Sequence, residues 1–457
     1  MKAGAALALT TDPCEAASRV VGQARASLGD LSPSFAVLFA SADFLGSAEA
    51  LVVAVAEETG PLPLIGCVAE AVVGGAREVE SEPAVSLWLA ADLGPVETFA
   101  MEFVRTPSGG AYGGYRFEPG PTGVHLMICD PFTFPVGGLL AHLNEHVAGA
   151  AVMGGMASGG LPLRQSRLFL DGRVLSHGAV GAHLARAEVH PLVSQGCRPV
   201  GDPYTTTRAE GNVIHELGGR PPLARLRELV TALPGRDREL LARGVHVGVV
   251  INEYRAEPRQ GDFLIRAVVG VDPESGAIAV GDEIQVGQTV QFHVRDADSA
   301  DEDLWRALER ESAALAGRRA AGALLFTCNG RGSRLFPEPD HDARLLAKIL
   351  GDIPVAGSSA PESSDRWAGR TTCTASRRRS RCSRRRPLRH NLGDPTCLVT
   401  LPAAPGRHRL TTLRSLRTSG GRCDKTRHLV ACDCRVDAGF EADGMYVPVP
   451  ASAKGTQ

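Results

Sequence analysis

Phe35-Ala-Val-Leu-Phe-Ala-Ser41, followed by helical spacing of apolar residues over 48–58 and then by Pro63-Leu-Ile-Gly66, is the stretch that decides the fold. A short apolar run bounded by turn residues has the length of a strand, and the longer periodic segment has the length of a helix. The same order returns as Val124-His-Leu-Met-Ile-Cys-Asp130, a helix over 136–147, and Ala151-Val-Met-Gly154. A third copy is Ala323-Leu-Leu-Phe-Thr-Cys328, a helix over 340–350, and Ile353-Pro-Val-Ala-Gly357. Strand, helix, strand implies a parallel strand pair joined by a right-handed crossover. The expected class is α/β (mixed α+β), with repeated β-α-β units forming sheets flanked by helices.

Between the copies the pattern changes. Residues 263–294 alternate apolar and polar side chains around Asp272-Pro-Glu-Ser-Gly276 and Gly287-Gln288, which predicts an antiparallel meander in the C-terminal half. A Pro-rich stretch at 218–222 leads into a helix over 223–233 and marks a domain boundary. The organisation expected is a lead-in over 1–33, one domain over 34–222, a second over 223–357, and a distinct tail over 358–457.

Each second strand of a copy runs into glycine or small residues. Ligands of open α/β sheets bind beyond the carboxyl ends of the strands, where glycine lets the backbone approach closely. Residues 67–70, 155–160 and 328–332 are therefore candidates for one shared pocket or for equivalent ones, although glycine also simply makes turns.

Composition excludes several classes. At 457 residues, 44% hydrophobic and 22% charged, the chain can bury a large core. A net charge of −2 gives no attraction for nucleic acid or an anionic membrane. No secretory segment and no long apolar span is read, so a cytoplasmic protein is expected, with its isolated Cys14, Cys67, Cys129, Cys197 and Cys328 reduced.

The tail obeys other rules. Residues 366–429 hold sixteen Arg and one Lys against two acids, Asp394 and Asp424, with no periodicity. A nucleic-acid arm, or a metal cluster at Cys423, Cys432 and Cys434, is the sharper reading of such a stretch, but no zinc-type spacing supports the latter. A frameshift accounts for more. All 26 residues from Ser358 to Ser383 can be back-translated so that a one-nucleotide shift reads FFGPGELGPVGGPNHLHGFTASIALF. That peptide supplies a Gly-rich turn and a strand, and its end echoes His177-Gly-Ala-Val-Gly-Ala-His183 after the second copy. The tail is thus expected to be disordered or out of frame. Loss of the third copy's last strand would leave a sheet edge open.

Pro63-Leu-Ile-Gly-Cys-Val-Ala-Glu70, Ala151-Val-Met-Gly-Gly-Met-Ala-Ser158, Gly196-Cys-Arg-Pro-Val-Gly201, Glu210-Gly-Asn-Val-Ile-His-Glu216, Asp262-Phe-Leu-Ile-Arg266 and Cys328-Asn-Gly-Arg-Gly332 carry a family resemblance. In this order, over about 320 residues, the chain resembles the FIST (F-box and intracellular signal transduction) sensory domain family, with its N and C domains. The resemblance implies a non-catalytic sensory module that binds amino acids or related small metabolites. It also implies a separate signalling output protein as partner, since no kinase, cyclase or DNA-binding motif is present. The family's closing Gly-Glu-Ile-Gly-Pro and Leu-His-Gly-Phe stretch is absent in the frame given.

The ligand-binding candidates are Cys67, Glu70, Asp130, Gly155, Ser158, Asn212, Arg266, Cys328, Asn329 and Arg331. Arg331 lies in a Gly-flanked turn after a strand, where a planar guanidinium suits a carboxylate; the plainer reading is a loop Arg. Arg266 sits mid-strand, either paired or turned to a ligand. Cys67 and Cys328 end strands, as a nucleophile or as small buried residues. Asp130 and Glu70 either cap and turn or meet a ligand amine, and Asn212 suits a turn. No catalytic residue, metal or cofactor is expected: there is no nucleophile elbow, phosphate loop or H-E-x-x-H. The alternatives kept open are a haem gas sensor with His125, His177, His183 or His190 as axial ligand, and a Cys-dependent enzyme.

Overall fold

The computed structural model describes residues 1–360, apart from 107–108, 121–122, 161–164, 255–257 and 259, together with the backbone of 391–392, 396–402 and 447–450. Strand β1 (Lys2–Leu9) and helix α1 (Pro13–Leu28) precede the first repeat. Asp12 starts α1 by accepting a 2.7 Å hydrogen bond from the Glu15 amide, with Pro13 in the first turn. The first repeat is β2 (Phe35–Ser41), α2 (Ala48–Thr59) and β3 (Leu64–Ala69), followed by a hairpin of β4 (Val72–Gly74) and β5 (Arg77–Val79), and by β6 (Ala84–Ala91).

The second repeat is entered through β7 (Val96–Thr106) and β8 (Gly109–Gly113). It consists of β9 (Val124–Cys129), α3 (Val136–His146) and β10 (Ala151–Met156). A hairpin of β11 (Leu168–Leu170) and β12 (Arg173–Leu175) follows, then β13 (Ala179–Leu184) and β14 (His190–Ser194).

A closed antiparallel barrel comes next in the chain. Its strands are β15 (Cys197–Glu210) and β16 (Val213–Leu217), then, after helices α4 (Pro222–Ala232) and α5 (Gly235–Arg243), β17 (Val245–Val250), β18 (Phe263–Val271), β19 (Ile278–Val280) and β20 (Thr289–Arg295). The antiparallel pattern expected over 263–294 is present, and strands from before residue 222 close it into a barrel in the order β15-β16-β19-β18-β17-β20. Val200, Ile214, Val247, Val280 and Phe292 fill its core.

The third repeat returns through α6 (Ala297–Ala314) as β21 (Ala320–Cys328), α7 (His341–Leu350) and β22 (Val355–Ala360). In the tail, β23 (Asn391–Leu392), β24 (Thr396–Pro402) and β25 (Val447–Pro450) are described. The edge of β21 that the sequence reading left open is paired antiparallel with β24.

In all three repeats the two strands run parallel, with Ala36 opposite Leu64, Val124 opposite Ala151 and Ala323 opposite Val355. Inward faces of the three sheets meet in a single core that contains Phe39, Ile65, Trp88, Leu126, Met153, Leu324 and Phe326. Their outer faces are covered by α1 and α2, by α3, and by α6 and α7. Covering on both faces is why the strands read as unbroken apolar runs rather than as alternating ones. Gly66 and Gly357 hold the same place in the first and third repeats. A Cβ at either would lie 1.9 or 2.0 Å from the carbonyl oxygen of Leu38 or Leu325, so only glycine fits.

Hairpins tie the repeats together. The β4–β5 hairpin of the first repeat lies antiparallel on β22 of the third, and the β11–β12 hairpin of the second lies antiparallel on β3 of the first.

Candidate functional site

Where β4 and β5 cross onto the third repeat, a polar cleft of about 200 Å³ opens beyond the carboxyl ends of β3 and β21. Glu70, Ala71, Glu78 and Glu80 line it from the first repeat, and Cys328, Asn329, Arg331, Arg334 and Ser359 from the third. Its two walls are far apart in sequence, and the pairing of β4 with β22 brings them side by side.

The floor is a hydrogen-bonded node joining all three repeats. Ser158 Oγ accepts from the Glu70 amide at 2.8 Å and donates to the Ser359 carbonyl at 2.6 Å. Ser359 Oγ accepts from the Ala71 amide at 2.9 Å, and the Ser359 amide donates to the Ala71 carbonyl at 3.0 Å.

Arg331 is 5% exposed, and its fork is spent on Asp342 at the start of α7: Nε reaches Oδ2 at 2.6 Å and Nη2 reaches Oδ1 at 2.8 Å. Burial opposes the Asp342 charge, but the Arg331 guanidinium and His341 outweigh it and hold the carboxyl well below the usual range. His341 Nδ1 donates to Asp342 Oδ1 at 2.9 Å, its Nε2 lies 3.0 Å from Asp301 Oδ1, and the ring stacks on Phe336 at 3.5 Å. Burial works against its proton, yet the two carboxylates raise its pKa. Arg331 Nη1 and Asn329 Oδ1 are buried without a partner among the described residues. Each such atom costs about 1–3 kcal/mol until something meets it.

Glu78 completes the arrangement from the other wall. Its Oε1 accepts from the Ala343 amide at 2.9 Å, while Asp340, the residue preceding α7, accepts from the Glu78 amide at 2.8 Å. A side chain of the first repeat therefore satisfies an orphan amide at the N terminus of a third-repeat helix. Burial and the nearby Asp342 charge push the Glu78 carboxyl up to about 7, against the pull of those amides and of Arg331. The rim is held by Glu70, which takes a 2.6 Å ion pair from Arg334 and a hydrogen bond from Asn329 Nδ2. Glu80 accepts from the amide and hydroxyl of Ser333. Cys328 Sγ accepts from the Gly330 amide at 3.2 Å.

Of the residues singled out from sequence, Glu70, Cys328, Asn329 and Arg331 line this cleft, and Ser158 supports its floor. The others lie elsewhere. Cys67 is inside the central core, where burial pushes its thiol up to about 12 against a hydrogen bond with Ser358. Asp130 accepts from Ser166 Oγ at 2.6 Å and from Thr133 Oγ1 in the turn after β9. Gly155 makes room for Phe326, whose ring carbon would be 2.7 Å from an added Cβ. Asn212 pins the β15–β16 turn to the Val280 carbonyl at 2.9 Å. Arg266 is 3% exposed in the barrel and bonded to Asp282 at 3.2 Å.

The histidines weighed as haem ligands have protein contacts: His125 with Tyr115 and the Ala151 carbonyl, His177 with Glu102, His183 stacked on His125, and His190 with Glu311. Among the described residues no group of three or more His, Cys, Asp or Glu could hold a metal ion, and no helix is long and apolar enough to cross a membrane. Cys423, Cys432, Cys434 and the Arg runs at 377–386 lie outside the described residues. Glu78, Glu80, Arg334 and Asp342 were missed from sequence. Arg334 shares the Cys328 turn and was within reach, but the two glutamates sit on a three-residue strand and its exit, with no pattern of their own.

Comparison with known proteins agrees with this architecture. Residues 34–220 match the FIST N domain and residues 222–360 the FIST C domain. An uncharacterized protein of Mycobacterium bovis is 48% identical over 370 residues, covering 81% of this chain and 95% of that relative. An uncharacterized protein of Mycobacterium tuberculosis strain H37Rv is 48% identical over 357 residues, covering 78% and 93%. The chain belongs to the FIST family, whose domains are sensory domains of signal transduction.

Proposed function

We propose that the chain senses a small polar metabolite, an amino acid or close relative, held non-covalently in the cleft between the first and third repeats. The carrying observation is the opposed lining of the cleft, with Glu78 and Glu80 on one side and Asn329, Arg331 and Arg334 on the other. The exposed Arg334 guanidinium at the rim suits a ligand carboxylate, and the carboxylates opposite suit an ammonium group. A ligand bridging the two walls would lock the β4–β5 hairpin onto α7 and β22, and a separate output protein would read that change. Haem and metal have no part in this reading.

The test is a thermal-shift screen of the twenty amino acids, followed by calorimetry. A ligand at 100 times its Kd stabilises by about 2.7 kcal/mol, which a melting curve resolves readily. Glu78→Gln should weaken binding at least tenfold at pH 8. If no amino acid or related carboxylate stabilises the protein, the sensor reading fails.

A further inference from the structure

The charges of the cleft do not balance. Arg331 is committed to Asp342 and Arg334 to Glu70, so both cations of the lining are already paired. Glu78 and Glu80, on the opposite side, have no ion pair among the described residues. Their hydrogen-bond donors are the Ala343 amide for Glu78, and the amide and hydroxyl of Ser333 for Glu80. The two glutamates flank Val79, which is buried in the central core. Alternation along the strand turns both carboxylates away from that core, with their Cα atoms about 6.5 Å apart. Gly332, at φ +58°, leaves room for the second of them, since a Cβ there would strike Glu80 Oε1. Both glutamates are half-buried, which strengthens their mutual repulsion, and Asp342 beside Glu78 adds to it.

We infer that the ligand of this cleft carries two cationic nitrogens, as a basic amino acid or a diamine does, one for each of Glu78 and Glu80. This inference rests on the sensor reading and narrows its ligand class. A neutral amino acid brings one ammonium and leaves one glutamate uncompensated. A basic amino acid sets a second ammonium or a guanidinium against the remaining carboxylate, with its own carboxylate toward Arg334 at the rim. An acidic amino acid adds an anion to a surplus of anions. The surplus also links binding to a proton. The charged neighbours of Glu78 are Glu80 on its own segment, Asp340 and Asp342 at the start of α7, and Arg331 after β21, with His341 bonded to Asp342. In that setting Glu78 keeps its proton up to about pH 7, and a cation placed beside it drives the proton off.

Calorimetry on the full chain with lysine, arginine, cadaverine, norleucine and glutamate is the test. Lysine or arginine should bind at least tenfold tighter than norleucine, which lacks the second cationic nitrogen, and glutamate should bind most weakly. Affinity for the cation should rise roughly tenfold from pH 6 to pH 8, as Glu78 loses its proton, and Glu78→Gln should remove that rise. Cadaverine matching lysine would assign the two nitrogens to a diamine; lysine binding tighter would assign them to a basic amino acid. Norleucine or glutamate binding as well as lysine overturns the inference and leaves the sensor reading standing. Binding by none of the five overturns both. If Glu78→Gln does not fold, Glu80→Gln, which leaves the α7 cap intact, should abolish the preference for lysine over norleucine. A preference kept in that variant overturns the inference.

Discussion

Two hairpins do the same geometric work with different chemistry. The β11–β12 hairpin seals the junction of the second and first repeats with apolar side chains: Phe169 is fully buried, Leu168 and Phe169 join the cores on opposite faces, and Leu170 and Leu175 pack beside them. The β4–β5 hairpin seals the junction of the first and third repeats, but it carries Glu78 inward and Glu80 just beyond. One junction is a closed part of the core; the other is a charged cleft. Repetition of the fold thus sets where a site is possible, and a few side chains on a three-residue strand decide which junction becomes one.

The largest effect that would test this contrast comes from the buried ion pair. Asp342→Ala leaves the Arg331 guanidinium buried and uncompensated, and about 3–5 kcal/mol of stability should be lost in chemical denaturation. Phe169→Ala should cost a similar ~3–5 kcal/mol through a cavity at the other junction, yet leave any ligand response of the folded protein intact. A ligand response lost with Phe169 would break the distinction between the two junctions.

Glu78 gives the next effect, through pH. Its folded value near 7 lies above the ordinary 4.5, so the folded chain binds more protons between those values. Stability therefore falls as pH rises from about 4.5 to 7, by at most about 3 kcal/mol at ~1.4 kcal/mol per pH unit. Asp342 contributes evenly over that window because its carboxyl titrates below it. Raised His341 adds loss only above its ordinary 6.5. Glu78→Gln should flatten the melting temperature between pH 4.5 and 6.5; an unchanged slope would remove Glu78 from the proton balance.

Arg334→Ala should have the smallest effect, about 0–1 kcal/mol, because its pair with Glu70 is mostly exposed. Ligand affinity should change more than stability if the rim closes over a bound molecule.

Much of this molecule was legible in the chain. Apolar runs covered on both faces, helical periods between them and glycines at their ends announced three β-α-β units, because burial and backbone sterics act locally. The turn Cys328-Asn-Gly-Arg331 was recognisable for the same reason: a strand ending in glycines leaves its polar residues at the sheet's edge. Arg331 itself was read as an open fork, and its engagement with Asp342 depends on the helix eleven residues on folding back across it. The sequence places both Cys67 and Cys328 at strand ends, but β3 runs on to Ala69 and leaves Cys67 in the central core, whereas Cys328 ends β21 at the cleft wall.

What the sequence by itself determined was the repeating unit, since that depends on neighbours within about thirty residues. What only the tertiary structure decided was which hairpin meets which sheet, that residues on either side of 222 close one barrel, and that Glu78 caps a helix at Ala343, 265 residues away. Those pairings are matters of register and of packing about a shared core, and a polar residue on a short strand carries no periodic trace of the partner it will find.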